Sequence, residues 1–454
     1  MANDVDVLVI GAGACGLAAA IAAHDAGASV AIVEKMDRPG GNSSLSTGSV
    51  PAANSRFQRE AGIVDDPETY VRDLMGIAKE TDDLDLVRRL AEVSADTIEW
   101  LIDTLGARMA LITAYKHIGH SVPRLHAPVS RRGQDLVDDL LRFVDEREIP
   151  LAVGNAVESL LVEDDEVKGA RIRTAEGLIE IRAGKTILAV NGFAGDPELV
   201  KRFCPEIAGA QYFGARGSTG EVIRWGEEVG AAFANMAAYQ GYAAVAYPHG
   251  SLLSWTTIEK GGVLVNSSGH RFGDESTGYS GYARIVLSQG DFAYAIFDQK
   301  IFDVAALEEE FMELVKFGGV KKADTVEEAA AMMDLDAAAV STSVSNYNQA
   351  ARGLVLDDYG RTDFGLGALD APYYICRVTP GLFHTQGGLK LDRDARVLSK
   401  SGQPIRNLFA GGGAAAGISG RAGALGYASG NGLLSAIALG RIAGMAAAEE
   451  LKTA

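Results

Sequence analysis

The chain opens on a short apolar run, Val5-Asp-Val-Leu-Val-Ile10, rich in β-formers and stopped by Gly11. Such a run bounded by glycine predicts a buried strand. Residues 14–27 then carry Ala, Leu and Ile at helical spacing up to Gly27, and residues 29–34 (Ser-Val-Ala-Ile-Val-Glu) predict a second buried strand. The order is strand, helix, parallel strand. From about 65 to 146 the pattern is helical, with amphipathic stretches such as Leu84-Val87-Leu90-Leu101. Between 150 and 190 strands return: Ala156-Val157-Leu160-Val162, Val167-Gly169-Arg171-Arg173, Ile179-Ile181, then Thr186-Ile187-Leu188-Ala189. This predicts a small antiparallel element leading back to a buried strand.

Between about 236 and 355 the Gly/Ala-rich style gives way to mixed β segments and a Glu-rich surface helix, Ala305 to Lys316. The last hundred residues regain the earlier style. Leu408-Phe409-Ala410 reads as a strand running into a Gly/Ala/Ser loop, followed by a helix from about 430 to 450. The expected fold class is therefore α/β: a Rossmann-like dinucleotide-binding domain built from both ends of the chain, with an inserted α+β cap domain. The expected boundaries are 1–235 and 356–454 for the binding domain and 236–355 for the cap.

Composition narrows the function. The 454 residues are 47% hydrophobic and only 7% aromatic, with 54 glycines, which suits many tight turns and close backbone approaches. A formal net charge of -18 argues against nucleic acid and against anionic membrane surfaces as partners. Cys15, Cys204 and Cys376 are widely spaced and form no CxxC pair, so no metal site is expected and the thiols read as buried groups in a reducing compartment. The N-terminal residues lack a basic, apolar leader, and the Ala-rich C-terminal stretch is broken by Gly440, Arg441 and Gly444. A cytoplasmic protein without membrane insertion is expected.

The first chemical motif is Gly11-Ala-Gly13-Ala14-Cys15-Gly16, with Glu34 closing the next strand. Gly11 permits the tight turn, Gly13 lets backbone N–H groups approach a pyrophosphate, and Gly16 lets helix and strand pack closely. Glu34 is placed to accept hydrogen bonds from a ribose. Strand, helix, strand and acid fall in register, which a glycine-rich turn binding nothing would not require. This motif leaves NAD and FAD both open.

The loop after Glu34 reads Lys35-Met-Asp-Arg-Pro-Gly40-Gly41-Asn42-Ser43-Ser44-Leu45-Ser46-Thr47-Gly48. It resembles the flavoprotein family of fumarate reductases, urocanate reductases and 3-ketosteroid dehydrogenases, in which this loop runs under the flavin pyrophosphate and ring. The resemblance extends along most of the chain. Leu188-Ala189-Val190-Asn191-Gly192-Phe193 is similar to the family's second FAD strand, Ser218-Thr219-Gly220-Glu221 to its Thr-Gly-Asp-Gly segment with Glu for Asp, and Gly411 to Leu434 to its C-terminal loop and helix. The resemblance implies FAD, contacted by Gly11, Gly13, Ala14, Gly16, Glu34, Lys35, Gly40, Gly41, Asn42, Ser43, Ser46, Gly48, Ala156, Val157, Asn191, Gly192, Gly412, Gly430, Leu433 and Leu434. No histidine lies in 42–48, where some relatives attach flavin, so the FAD is expected to be non-covalent.

Departures from the pattern point to the branch. Fumarate reductases place an arginine proton donor shortly after a Lys/Arg-Arg-Phe-x-Asn-Glu segment. Here the segment is His270-Arg271-Phe272-Gly273-Asp274-Glu275, and the arginine position holds Tyr279. A second arginine position, within Gly426-Tyr427-Ala428-Ser429-Gly430-Asn431-Gly432, holds Tyr427. Two tyrosines in place of two arginines resemble the 3-ketosteroid dehydrogenases, most closely the Δ4-(5α) branch. That resemblance implies a ketone oxygen held by Tyr427 and the amide of Gly432, with Tyr279 and Ser429 completing a proton relay. Loss of an α-proton puts developing charge on the ketone oxygen, and aimed O–H and N–H donors stabilise it by ~3–4 kcal/mol each.

Each candidate also has a structural reading. Tyrosines commonly pack half-buried with a bonded hydroxyl, and Ser429 equally suits an N-cap of the final helix. His384, in His384-Thr385-Gln386-Gly387-Gly388, resembles a substrate-contacting histidine of fumarate and urocanate reductases, or else packs behind the flavin edge. The stretch Gly119-His120-Ser121-Val122-Pro123-Arg124-Leu125-His126 resembles a family segment near the substrate entrance, with Arg124 bracing the flavin loop in preference to meeting a carboxylate. Tyr115, Tyr239 and Tyr242 are candidate pocket walls. The expected function is FAD-dependent desaturation of a cyclic or steroid ketone at its α,β bond, or the reverse ene-reduction, with an external electron partner. Reduction of an unsaturated carboxylate and a flavin-binding electron-transfer subunit are the alternatives; an oligomer is possible.

Overall fold

The strand Val5–Ile10 lies between Val30–Val33 and the end of Gly177–Leu188, parallel to both, with Val9 paired to Ile32 on one side and Ile187 on the other. Leu151–Ala152 extends the parallel sheet beyond Val30–Val33, and Pro404–Ala410 extends it beyond Gly177–Leu188. The helix Ala14–Asp25 leads from the central strand to one neighbour, while the other neighbour arrives from far along the chain. This is a topological switch point, where a crevice opens at the carboxyl ends of the strands. The computed structural model describes residues 3–79, 82–114 and 116–453, so the candidate wall residue Tyr115 lies outside the described residues.

Ile179-Ile181 and Thr186-Ala189, read above as separate strands, are one continuous strand of 12 residues, Gly177–Leu188. Its first half pairs antiparallel with Glu166–Thr174 and is largely exposed; its second half is buried in the parallel sheet. Two environments along one strand produce the change of pattern. The helical reading of 65–146 holds for Pro67–Ile77, Leu84–Glu99 and Gly133–Glu146, but 109–128 differs. There Met109–Leu111 and Leu125–Pro128 pair with each other, and Leu125–Pro128 also pairs with Val50–Pro51. Strands this short carry no periodicity of their own.

The chain divides into two compact units. The first comprises Met1–Cys204, Gly214–Tyr239 and His384–Ala454; the second comprises Pro205–Phe213 and Gln240–Phe383. The inserted segment thus runs to 383, not 355, and also takes in 205–213. The reason is pairing: Tyr373–Val378 runs antiparallel to Ala293–Asp298, and Gln211–Tyr212 adds in parallel to Gly381–Leu382. The Glu-rich helix also begins later than expected. Gln299–Ala305 and Glu309–Lys316 are separate helices.

In the first unit the last helix, Asn431–Thr453, packs on Ala14–Asp25. A β-carbon on Gly440 would overlap the Cys15 carbonyl oxygen, and one on Gly444 the Ala19 carbonyl oxygen. These glycines therefore set helix separation. Among the described residues this is the one helix long and apolar enough to cross a membrane, and most of it is buried within the protein, as a core helix would be.

Candidate functional site

The turn after the central strand has the shape that a dinucleotide requires. Gly11 adopts φ +104°, and a β-carbon there would overlap the Ala189 carbonyl oxygen. One on Gly16 would overlap the oxygen of Gly11, so helix and strand meet backbone to backbone. Gly13 precedes the helix without a capping side chain, and no acid stands in the first turn. The Ala14 amide reaches Ser43 Oγ at 3.2 Å, and the other first-turn N–H groups lack intrahelical partners, which leaves a helix terminus suited to phosphate oxygens. The carboxylate of Glu34 accepts from the amides of Ala12 and Met36, each at 2.8 Å, which holds it beside the glycine turn.

The loop from Gly40 to Gly48 folds back onto that turn. Gly40, at φ +122°, donates to the Ala12 carbonyl at 2.9 Å and forms a bridge with Gly13. Gly41 starts a short helix, Gly41–Ser44. Asn42 Oδ1 accepts from the Ala215 amide at 2.6 Å, while Ser46 Oγ links the Ser43 carbonyl at 2.7 Å to the Gly48 amide at 3.1 Å. The loop is thereby tied at both ends without a bulky side chain near Gly13.

Lys35 donates to Thr219 Oγ1 at 2.7 Å and is ion-paired with Glu221. Glu221, which stands where the family pattern has Asp, thus anchors the lysine beside Glu34. Ala156 opens the strand Ala156–Glu163, and Val157, Thr219, Gly220 and Glu221 line a cavity of about 650 Å³. Asn191, at φ +66°, donates through Nδ2 to Ser218 Oγ at 2.7 Å and accepts the Gly192 amide at 2.9 Å. Gly412 and Gly430 adopt φ +58° and +83°. A β-carbon on Gly413 would overlap Asn191 Oδ1, so the two later strands also end in turns that approach closely. The residues present fit FAD.

Three of the catalytic candidates meet within the first unit. The rings of His384 and Tyr427 stand edge to face, centroids 6.2 Å apart at 69°. A β-carbon on Gly432 would lie 3.5 Å from His384 Nε2. Gly432 is the second residue of the last helix, in its first turn. Leu433 and Leu434 are buried, and both their amides reach the Gly430 carbonyl at 3.0 Å. Burial pushes His384 down to about 4, against a weak opposing contact with the Thr385 carbonyl at 3.3 Å, so its imidazole is neutral at neutral pH. The helix begins at Asn431, and Gly430 occupies the preceding position.

The backbone around this cluster is held by polar residues without any local sequence signal. Asp82 accepts the Gly420 amide at 2.8 Å and Asn235 Nδ2 at 3.1 Å, and Asn235 also donates to the Gly417 carbonyl at 2.8 Å. Burial raises the pKa of Asp82 despite these bonds. Asn431 donates to the Ile418 carbonyl at 2.9 Å and accepts from the Tyr70 hydroxyl at 3.5 Å. These residues come from distant segments and could be found only by folding the chain. Arg124 is fully buried, bound by Asp65 at 2.7 and 2.8 Å and by Asp73 at 2.5 Å. Its Nε, Nη1 and Nη2 donors go to these two carboxylates.

Tyr279 belongs to the second unit. It begins the helix Tyr279–Leu287 after Gly278 at φ +87°. Its ring lies 5.1 Å from that of Tyr242 and 6.5 Å from that of Trp255, and Tyr242 stacks on Phe383 at 5.6 Å. The Tyr242 hydroxyl donates to the Leu253 carbonyl at 2.9 Å, and burial holds its pKa well above the ordinary tyrosine value. Tyr239 is buried in the first unit. In the segment before Tyr279, Arg271 and Glu275 form a buried ionic cluster with Asp357 and Arg361. That pair scaffolds the turn into the helix.

Residues 6–433 match the family described as FAD binding domain. The chain is 33% identical to the NADH:fumarate oxidoreductase of Klebsiella pneumoniae, over 99% of its own length and 48% of that protein's, so it spans about half of this longer relative. The structure of the open conformation of a flavocytochrome c3 fumarate reductase is 32% identical, with a TM-score of 0.84 over 98% of this chain and 78% of that one. The 3-ketosteroid-Δ4-(5α)-dehydrogenase of Rhodococcus jostii shares the fold at 24% identity, with a TM-score of 0.77 over 98% of this chain and 96% of that one. With its glycine cradle intact from Gly11 to Gly430, this chain belongs to the FAD binding domain family of flavoproteins, together with the fumarate reductases, and its cofactor is FAD.

Proposed function

We propose that the chain is an FAD-dependent oxidoreductase acting on the carbon–carbon bond α,β to a ketone carbonyl, as a dehydrogenase or, in reverse, an ene-reductase. The observation that carries this reading is the uncharged character of the cluster in the first unit: a tyrosine hydroxyl, a neutral imidazole and a first-turn helix amide. A carboxylate substrate gains most from a cationic partner. A ketone oxygen needs neutral donors aimed at charge that develops during reaction.

In this reading Tyr427 and the Gly432 amide hold the ketone oxygen, and the N-terminal end of the helix Asn431–Thr453 favours the developing negative charge. His384, neutral and edge-on to Tyr427, orients that ring. Ser429 takes the α-proton in dehydrogenation and returns it in reduction. FAD, held non-covalently, supplies hydride acceptance or donation at the β-carbon. The fumarate reductases among the relatives support the second reading, reduction of an unsaturated carboxylate.

Anaerobic flavin spectra test both. Cyclohexanone or a 3-ketosteroid should bleach the oxidised protein, and cyclohex-2-enone should reoxidise the dithionite-reduced protein faster than fumarate or urocanate. Reoxidation by fumarate or urocanate with no response to any ketone or enone would overturn the ketone reading. No response to either class would point to an electron-transfer subunit. Acid precipitation should release all of the flavin; flavin left on the precipitate would mean a covalent bond.

A further inference from the structure

Ile118, Gly119 and His120 run along the segment that carries Tyr427 and Ser429 and hold it at three points. The Ser429 amide donates to the Ile118 carbonyl at 3.0 Å. His120 Nε2 meets the Ser429 carbonyl at 2.8 Å. Between them Gly119, at φ +83°, approaches Ala428 so closely that a β-carbon would overlap that of Ala428 and lie 2.9 Å from its Cα. One tripeptide thus satisfies both backbone polar groups of Ser429 and closes on the residue between Ser429 and Tyr427.

The contacts are specific. A carbonyl only accepts, so His120 carries its proton on Nε2. The imidazole is buried, with its ring 5.6 Å from that of Tyr70, whose hydroxyl reaches Asn431 at the start of the last helix. Burial also pushes His120 down to about 4, which keeps a single neutral tautomer at neutral pH. Gly119 has a second requirement beyond its positive φ: no side chain fits there.

We propose that Ile118–His120 is a positioning strap for Tyr427 and Ser429, with Gly119 and His120 as its positioning residues. The proposal rests on the reading that Tyr427 acts on the substrate. A displacement of about 1 Å at such a group costs on the order of 100-fold in rate, so a strap that removes backbone freedom there acts on turnover without touching the substrate.

The test uses FAD-loaded protein carrying His120→Gln, His120→Phe or Gly119→Ala. Glutamine places an amide donor near the position of His Nε2, whereas phenylalanine keeps the ring and removes the donor. Hydrogen–deuterium exchange should speed up by about tenfold across 424–430 in His120→Phe and Gly119→Ala, stay close to wild type in His120→Gln, and not change over 5–25 in any of them. Reoxidation of dithionite-reduced flavin by cyclohex-2-enone should slow by about tenfold or more in His120→Phe through kcat rather than KM, and by less than about threefold in His120→Gln. On a Tyr427→Phe background, His120→Phe should add less than about twofold.

Unchanged exchange over 424–430 in both His120→Phe and Gly119→Ala overturns the strap. So does a His120→Gln protein as impaired as His120→Phe, or a fully additive loss on the Tyr427→Phe background. If exchange responds as expected while wild-type protein ignores the enone, the strap stands and the ketone reading falls.

Discussion

His384 stands edge-on to Tyr427, ring centroids 6.2 Å apart, and its Nε2 lies 3.5 Å from where a β-carbon on Gly432 would be. One uncharged imidazole therefore adjoins both the Tyr427 ring and the helix turn that carries Gly432. Under the proposed function, the absence of formal charge in this trio suits a neutral carbonyl better than a dicarboxylate.

Replacing Tyr427 by Phe removes a donor while keeping the ring against His384. Turnover with cyclohex-2-enone should fall by about 100-fold or more, the range for losing one aimed donor. Flavin content per protein, read from visible absorbance, should not change. Equal loss of flavin and turnover would make the tyrosine a packing residue.

His384 titrates at about 4, so it is neutral throughout the working range. The pH profile of kcat/KM should show no inflection near the ordinary histidine value of about 6.5. An inflection there that disappears in His384→Gln would show a proton moving on this ring.

Gly16→Ala places a β-carbon on the Gly11 carbonyl oxygen, with Ala189 Cβ a further 3.3 Å away. Neither neighbour is a flexible side-chain end, so helix and strand must separate. Purified variant should retain less than about a tenth of the wild-type flavin, a loss of at least ~1.4 kcal/mol in binding. Full retention of FAD would contradict the backbone-to-backbone fit at this turn.

His120 and His126 are both buried, and burial lowers each to about 4. In the unfolded chain both take protons near the ordinary value, so the unfolded state binds more protons as pH falls. Their contribution is complete above about 6.5 and is lost between there and about 4, on the order of 3 kcal/mol each. Thermal midpoints measured across this window should drop with acidification. His126 also bonds Ser55 Oγ and the Arg124 carbonyl, each at 2.9 Å, so the double variant His120→Gln, His126→Gln should start lower and slope less. A parallel slope would assign the acid sensitivity to other groups.

Arg124→Met leaves Asp65 and Asp73 without their cation, and Asp65 is fully buried. Breaking such a group costs about 3–5 kcal/mol, which chemical denaturation should register. A loss below about 1 kcal/mol would mean that water reaches Asp65 once the arginine is gone.

The βαβ unit could be read in the chain because its signals are local. A strand needs one apolar run, a helix one period, and the turn between them glycines at Gly11 and Gly16, where a β-carbon would overlap backbone. The loop from Gly40 to Gly48 and the glycines of the last hundred residues were readable for the same reason: backbone that approaches a cofactor or another helix leaves no room for side chains. Gly440 and Gly444, read in the sequence as breaks in an apolar stretch, turned out to be points where two helices touch. The residue type was visible in the sequence, but its neighbour was not.

Everything that depends on neighbours distant in sequence emerged only on folding. The pairing of Leu125–Pro128 with Val50–Pro51, the extension of the second unit to Phe383, the grip of Asp82 on Gly420 and of His120 on Ser429 join segments with no shared pattern. A single buried hydrogen bond or a two-residue strand leaves no periodic trace, because its partner is chosen by the packing of the whole unit. Local steric rules act through adjacent residues and so are written in order along the chain; polar satisfaction acts through space.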